Sequence, residues 1–126
     1  MTSEELEKVG SLCEKYHVTV VSDEIHCDIT EPGEEYIPYA SVSQVCRNHS
    51  ITCIAATKAF NMAGLQTAAV SIPNEGLRNI MERGLNSDEV AEPNYFAIDA
   101  VIAAFTNGKE WLVQLRQYIS DNRKMA

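Results

Sequence analysis

Two short apolar runs constrain this chain more than anything else in it. VTVVS at 18–22 and SITCIAA at 50–56 are rich in β-branched residues, carry no charge, and give way at once to polar residues. Runs of this kind read as strands buried on both faces, as in a parallel sheet covered by helices. A third run, TAAVSIP at 67–73, is stopped by Pro73. The return from the second run to the third is short, which suits an antiparallel neighbour better than a crossover.

The rest of the chain reads mainly as helix. Thr2 followed by Glu5 is a capping-box signature, and Leu6, Val9, Leu12, Cys13 and Tyr16 then recur at helical spacing. ITEPGEEYIPYASVS carries two prolines and a Pro-Gly turn and reads as a long loop, with a short helix expected over Ser41 to Cys46. Helical patterns return in NEGLRNIMERGL and in PNYFAIDAVIAAFTNG, where Ile98, Val101, Ile102 and Phe105 recur. In the last segment Trp111, Leu112, Leu115, Tyr118 and Ile119 share one stripe, so Trp111 reads as core. The order predicts an α/β fold: a three-layer arrangement in which a sheet with two parallel strands and one antiparallel is flanked by helices on both faces.

Composition removes several function classes. The net charge of −8 disfavours binding to nucleic acid or an anionic membrane, which reward positive charge. No apolar run approaches a membrane span, and residues 1–15 lack the apolar stretch of a signal peptide. Cys13, Cys27, Cys46 and Cys53 form no CxxC pair, so reduced thiols in a cytoplasmic protein are expected. His26, Cys27, Cys46 and His49 match no familiar zinc spacing, and no metal is expected.

In α/β sheets, ligands gather at the carboxyl ends of the strands. The first run ends at Asp23, and the second ends at Thr57-Lys58. Lys58 also lies in an almost uncharged segment, TCIAATKAFNMAGLQTAAVSIP. For an arbitrary acid and lysine, a structural ion pair is the simpler reading. A lysine in a poorly solvated pocket of small residues is instead a usable amine nucleophile.

VVSDEIHCDI and TKAFNMAGLQTAAVSIPN, with Lys58 35 residues after Asp23, together resemble the fold-type I enzymes that use pyridoxal phosphate. The resemblance lies with the class I/II aminotransferase superfamily, in its MalY/PatB-type cystathionine β-lyase (C–S lyase) branch. It extends through EELEKVGSLCEKYHV, EPNYFAIDA and GKEWLVQLRQYISDNR, nearly the whole chain. The resemblance implies that Lys58 is catalytic and carries the cofactor as a Schiff base. It likewise implies that Asp23 keeps the pyridine nitrogen protonated, that His26 bonds the ring's phenolic oxygen, and that Thr57 contacts the phosphate. Asn61 and Gly64 read as residues that shape the turn, and Phe60 as a packing residue. Gln66 falls where many aminotransferases have a phosphate-binding arginine, a departure that favours the lyase branch.

The resemblance further implies that residues 1–126 are a piece of the cofactor-binding large domain. An N-terminal part with the phosphate loop and a C-terminal small domain with the substrate-carboxylate arginine are expected to be absent. Such a piece leaves sheet edges and apolar helix faces uncovered, so a homo-oligomer is expected. Two functions remain open at this point: a lyase or aminotransferase acting on amino acids, with weak cofactor binding and low activity alone, or a non-catalytic, self-associating remnant.

Overall fold

The computed structural model describes all 126 residues. In chain order the elements are α1 (Ser3–Lys15), β1 (Val20–Asp23), α2 (Tyr39–Val42), α3 (Gln44–Asn48), β2 (Ser50–Ile54) and α4 (Ala56–Ala59). A 3-10 turn at Ala63–Leu65 precedes β3 (Ala69–Ser71), α5 (Glu75–Ser87), α6 (Ala97–Asn107) and α7 (Lys109–Met125). They fall into two compact units. The first is Met1–Glu24, Ile37–Ile54 and Ala69–Glu92; the second is Ile25–Tyr36, Ala55–Ala68 and Pro93–Ala126.

The first unit holds the sheet, in the order β1-β2-β3. β1 runs parallel to β2, with Val20 opposite Ser50 and Asp23 opposite Cys53, and β3 returns antiparallel, with Cys53 opposite Val70. The mixed α/β sheet expected from the apolar runs is therefore present. α1 begins as expected: the Thr2 hydroxyl accepts from the Glu5 amide at 3.2 Å, and the Glu5 carboxylate accepts from the Thr2 amide at 2.8 Å. α5 begins at Asn74, whose side chain accepts from the Leu77 amide and donates to the Asn48 carbonyl.

The core of this unit is built from Tyr39, Cys46 and Ile72, with Ser50, Thr52 and Glu24 also buried. α1 approaches α3 at Gly10, where a Cβ would stand 2.5 Å from the Cys46 sulfur and 3.3 Å from the Tyr39 hydroxyl oxygen. Glycine is required here by space, not by backbone angle. Burial pushes the Tyr39 hydroxyl well above the ordinary tyrosine range, and the neighbouring Cys46 adds to the shift.

Two expectations are corrected in this unit. Only β2 is covered on both faces, with every residue buried or half-buried: β1 alternates half-buried and exposed, Val21 is 63% exposed, and all of β3 is exposed. Alternate side chains point to opposite faces, and in this unit only one face of β1 is covered. The short helix over Ser41 to Cys46 is in fact two, α2 and α3. Ser43 separates them because its backbone is extended and its hydroxyl accepts from the Cys46 amide, capping α3.

The second unit is held differently. Its buried residues are small: Ala56, Ala59, Ala97 and Ser120. Phe60 meets Phe105 edge to face at 5.8 Å, which agrees with a packing role for Phe60. Gly108, where α6 gives way to α7, lies so close that a Cβ would collide with the Ala104 carbonyl and the Phe60 ring. Trp111 is half exposed, not core as expected; its indole N–H donates to the Ala59 carbonyl at 3.0 Å. The Arg116 guanidinium donates to the Asp28 carbonyl at 2.6 Å, and the Ser120 hydroxyl donates to the Glu31 carboxylate at 2.9 Å.

Candidate active site

The parallel pairing sets the geometry at the carboxyl end of the sheet. Asp23 is the last residue of β1 and lies opposite Cys53, and the next amide, Glu24 N–H, donates to the Cys53 carbonyl at 2.9 Å. Asp23 is exposed while Glu24 is only 4% exposed, because successive residues take opposite faces of the sheet.

The chain leaves β2 through Ala55 and turns at once into α4. Ala56 and Ala59, three apart on this single turn, are both buried and hold it inward. Thr57 is half-buried, and Lys58 is exposed. The amine was expected to be poorly solvated by its small neighbours, and this is corrected. Those alanines bury their own surface beneath the turn, and the lysine between them remains in contact with solvent. The Thr57 carbonyl accepts from the Met62 amide at 3.0 Å, closing the turn. Asn61 takes a left-handed conformation at φ 53°, as its turn-shaping role requires. Gly64 does not share that role: it lies in the 3-10 turn, its φ is not positive, and a Cβ there would meet open space. Gln66 ends the 3-10 turn, also left-handed at φ 48°.

His26 is exposed and lies in the turn after β1, where its carbonyl accepts from the Ile29 amide at 2.9 Å. Thus Thr57 and Lys58 share one helical turn, and His26 belongs to the same unit. Asp23 belongs to the other unit, at the end of β1.

Two features escaped the sequence reading. Glu24 is buried, its carboxylate accepting from the Ser22 hydroxyl at 2.9 Å and the Tyr39 amide at 3.0 Å. Counting the strand alternation one residue past Asp23 would have placed it on the covered face with Val20 and Ser22. The second is an open groove of about 360 Å³ between β3 and α5, lined by Val70, Ile72, Met81 and Leu85. Arg78 also lines it, but its guanidinium donates to the Ile72 and Pro73 carbonyls at 2.8 and 3.1 Å. The groove shares no residue with the candidate site. No cluster of His, Cys, Asp and Glu could hold a metal ion, and no helix is long and apolar enough to cross a membrane.

The chemistry of the four candidate groups fits pyridoxal phosphate. An amine, a carboxylate, an imidazole and a hydroxyl complement its aldehyde, pyridine nitrogen, phenolic oxygen and phosphate.

Comparison with known proteins agrees with this. The chain is 42% identical over 123 residues to cystathionine beta-lyase PatB of Bacillus subtilis (strain 168), covering 98% of this chain and 32% of that protein. It is 36% identical over 122 residues to Protein MalY of Escherichia coli (strain K12), covering 96% of this chain and 30% of that one. Among solved structures it superposes on the PLP-bound C-S lyase from Staphylococcus hominis with a TM-score of 0.86 and 33% identity, covering 97% of this chain and 30% of that chain. The chain therefore spans about a third of the length of the curated relatives it matches. The whole of this chain, residues 1–126, matches the family described as aminotransferase class I and II, and the chain belongs to that family, whose cofactor is pyridoxal phosphate.

Proposed function

We propose that this chain is the catalytic-lysine segment of a pyridoxal-phosphate-dependent enzyme that acts on amino acids by C–S β-elimination, and that it forms part of the large, cofactor-binding domain. The observation that carries the reading is the parallel pairing of β1 with β2: Asp23 closes one strand, and Thr57 and Lys58 lie in the helical turn that begins two residues after the other ends. The lyase relatives among the matched proteins favour elimination over transamination.

Pyridoxal phosphate, when bound, supplies a ring that withdraws electrons from the substrate's Cα. Lys58 Nζ would hold the cofactor through its aldehyde carbon. With substrate in place, the Lys58 amine would take the proton from Cα. The Asp23 carboxylate holds a proton on the pyridine nitrogen, so the ring can accept negative charge. The His26 ring bonds the phenolic oxygen, and the Thr57 hydroxyl bonds a phosphate oxygen. The overall elimination would break the substrate's Cα–H and Cβ–S bonds and, with one water, release a thiol, ammonia and a keto acid, pyruvate for cystathionine.

The four free cysteines fit a reducing, cytoplasmic setting. The exposed apolar faces of α6 and α7 fit self-association into a homo-oligomer.

The test is to add pyridoxal phosphate and record the visible absorbance of the bound cofactor, then assay pyruvate and thiol release from cystathionine. A band that is absent from Lys58→Ala supports the reading. A wild-type chain with neither band nor product overturns it in favour of a non-catalytic, self-associating piece.

A further inference from the structure

We infer that Glu24 is a positioning residue, whose buried carboxylate pins the end of β1 and so fixes how Asp23 is presented. The inference rests on the proposed role of Asp23 at the cofactor's ring nitrogen.

Glu24 is the one acidic or basic residue that is buried in this protein. A carboxylate out of water is costly unless it is hydrogen-bonded, so its place calls for a physical account. The bonds supply one. The Ser22 hydroxyl donates to Oε1 at 2.9 Å, and the Tyr39 amide donates to the same oxygen at 3.0 Å. The Glu24 backbone N–H donates to the Cys53 carbonyl at 2.9 Å. One residue therefore joins the end of β1, its parallel neighbour β2, and the start of α2 fifteen residues further along the chain.

Position matters as much as bonding. Asp23 is the last residue of β1 that the ladder pairs, and the Glu24 amide adds one further bond to β2, so Asp23 stands where the strand leaves the sheet. Val20, Ser22 and Glu24 share the covered face, and Asp23 falls on the open one. Pinning residue 24 on the covered face extends the alternation by one step and holds Asp23 outward. An apolar side chain could fill the same space, but it could not accept from both Ser22 and Tyr39. It would leave two donors without an acceptor and the strand end untied.

The test compares Glu24→Gln, Glu24→Leu and Ser22→Ala, with Ile72→Ala as a control that weakens the core of the same unit without removing either donor or the acceptor. Each is titrated with pyridoxal phosphate by visible absorbance, and amide exchange of Tyr39 and Glu24 is followed by NMR without cofactor. Glu24→Gln keeps an acceptor and should bind within about threefold of wild type. Glu24→Leu should bind about tenfold more weakly, as expected when a reacting group is misplaced. Its Tyr39 amide should also exchange faster. Ile72→Ala should lower stability and leave cofactor affinity unchanged.

The proposal is overturned if Glu24→Leu binds like wild type, or if Glu24→Gln loses as much as Glu24→Leu. Should Glu24→Leu not fold, Ser22→Ala decides: unchanged affinity together with unchanged Tyr39 exchange overturns the proposal. A wild-type chain without a cofactor band overturns the functional reading itself, and that failure is visible before any variant is compared.

Discussion

The two units of this chain bury opposite kinds of residue. The first encloses Tyr39, Cys46 and Ile72 beside a three-stranded sheet. The second buries Ala56, Ala59, Ala97 and Ser120, while Tyr95, Phe96, Ile98, Ile102 and Tyr118 all lie exposed. In the first, order comes from ladder bonds and bulky core packing. In the second, α7 is fastened by single polar groups: the Trp111 indole on the Ala59 carbonyl, Arg116 on the Asp28 carbonyl, and Ser120 on Glu31. The Arg123–Glu31 ion pair at 2.9 Å adds little, since Arg123 is largely exposed. The lesson is that small inward residues, as in α4, let a turn sit close to its support and leave neighbours such as Lys58 at the surface.

The largest expected effect tests whether the first unit has a true core. Ile72→Ala should cost about 2–5 kcal/mol in urea denaturation followed by circular dichroism, as for other buried large-to-small changes. A loss near zero would erase the contrast between the units.

Gly10→Ala should cost about 1–3 kcal/mol, because its methyl group would enter the space of the Cys46 sulfur. Adding Cys46→Ala in the same chain should recover part of that loss, since the two positions share one contact. Simple addition of the two costs would show that α1 and α3 do not meet there.

For the second unit, Arg116→Ala should cost about 1–2 kcal/mol, the scale of one hydrogen bond from a charged donor. Trp111 is the only tryptophan, so its fluorescence reports on the helix that Arg116 fastens. An unchanged fluorescence transition would mean that the tether to Asp28 contributes nothing.

The smallest expected effect is at Ile98 and Ile102, which are 55% and 56% exposed. Changing both to Gln should alter stability by less than about 0.5 kcal/mol per site. It should also reduce self-association in sedimentation velocity. A large loss of stability would show that Ile98 and Ile102 lie on a covered face of α6.

Local features of this fold were legible in the sequence, and covering was not. The Thr2–Glu5 capping box depends on two residues three apart, so it can be read directly. The antiparallel third strand follows from the short return after Lys58. Burial depends on what packs against a residue, and periodicity does not carry that information. Val21 and Trp111 were therefore assigned to interiors they do not occupy. Ser43 broke an expected helix because its hydroxyl takes the Cys46 amide as a local cap, an alternative to helix that periodicity does not register. Glu24 was missed for the reverse reason: its residue type is normally exposed, and only its bonds to Ser22 and Tyr39 explain its burial.

The central claim is that Lys58 carries pyridoxal phosphate. It is tested most directly by incubating the chain with the cofactor, reducing with borohydride, digesting, and mapping the modified peptide by mass spectrometry. Reduction fixes a Schiff base as a stable secondary amine on the lysine that formed it. The account predicts one dominant phosphopyridoxyl adduct, on Lys58. Absence of any adduct, or an adduct spread over Lys8, Lys15, Lys109 and Lys124 with none favoured, would contradict it.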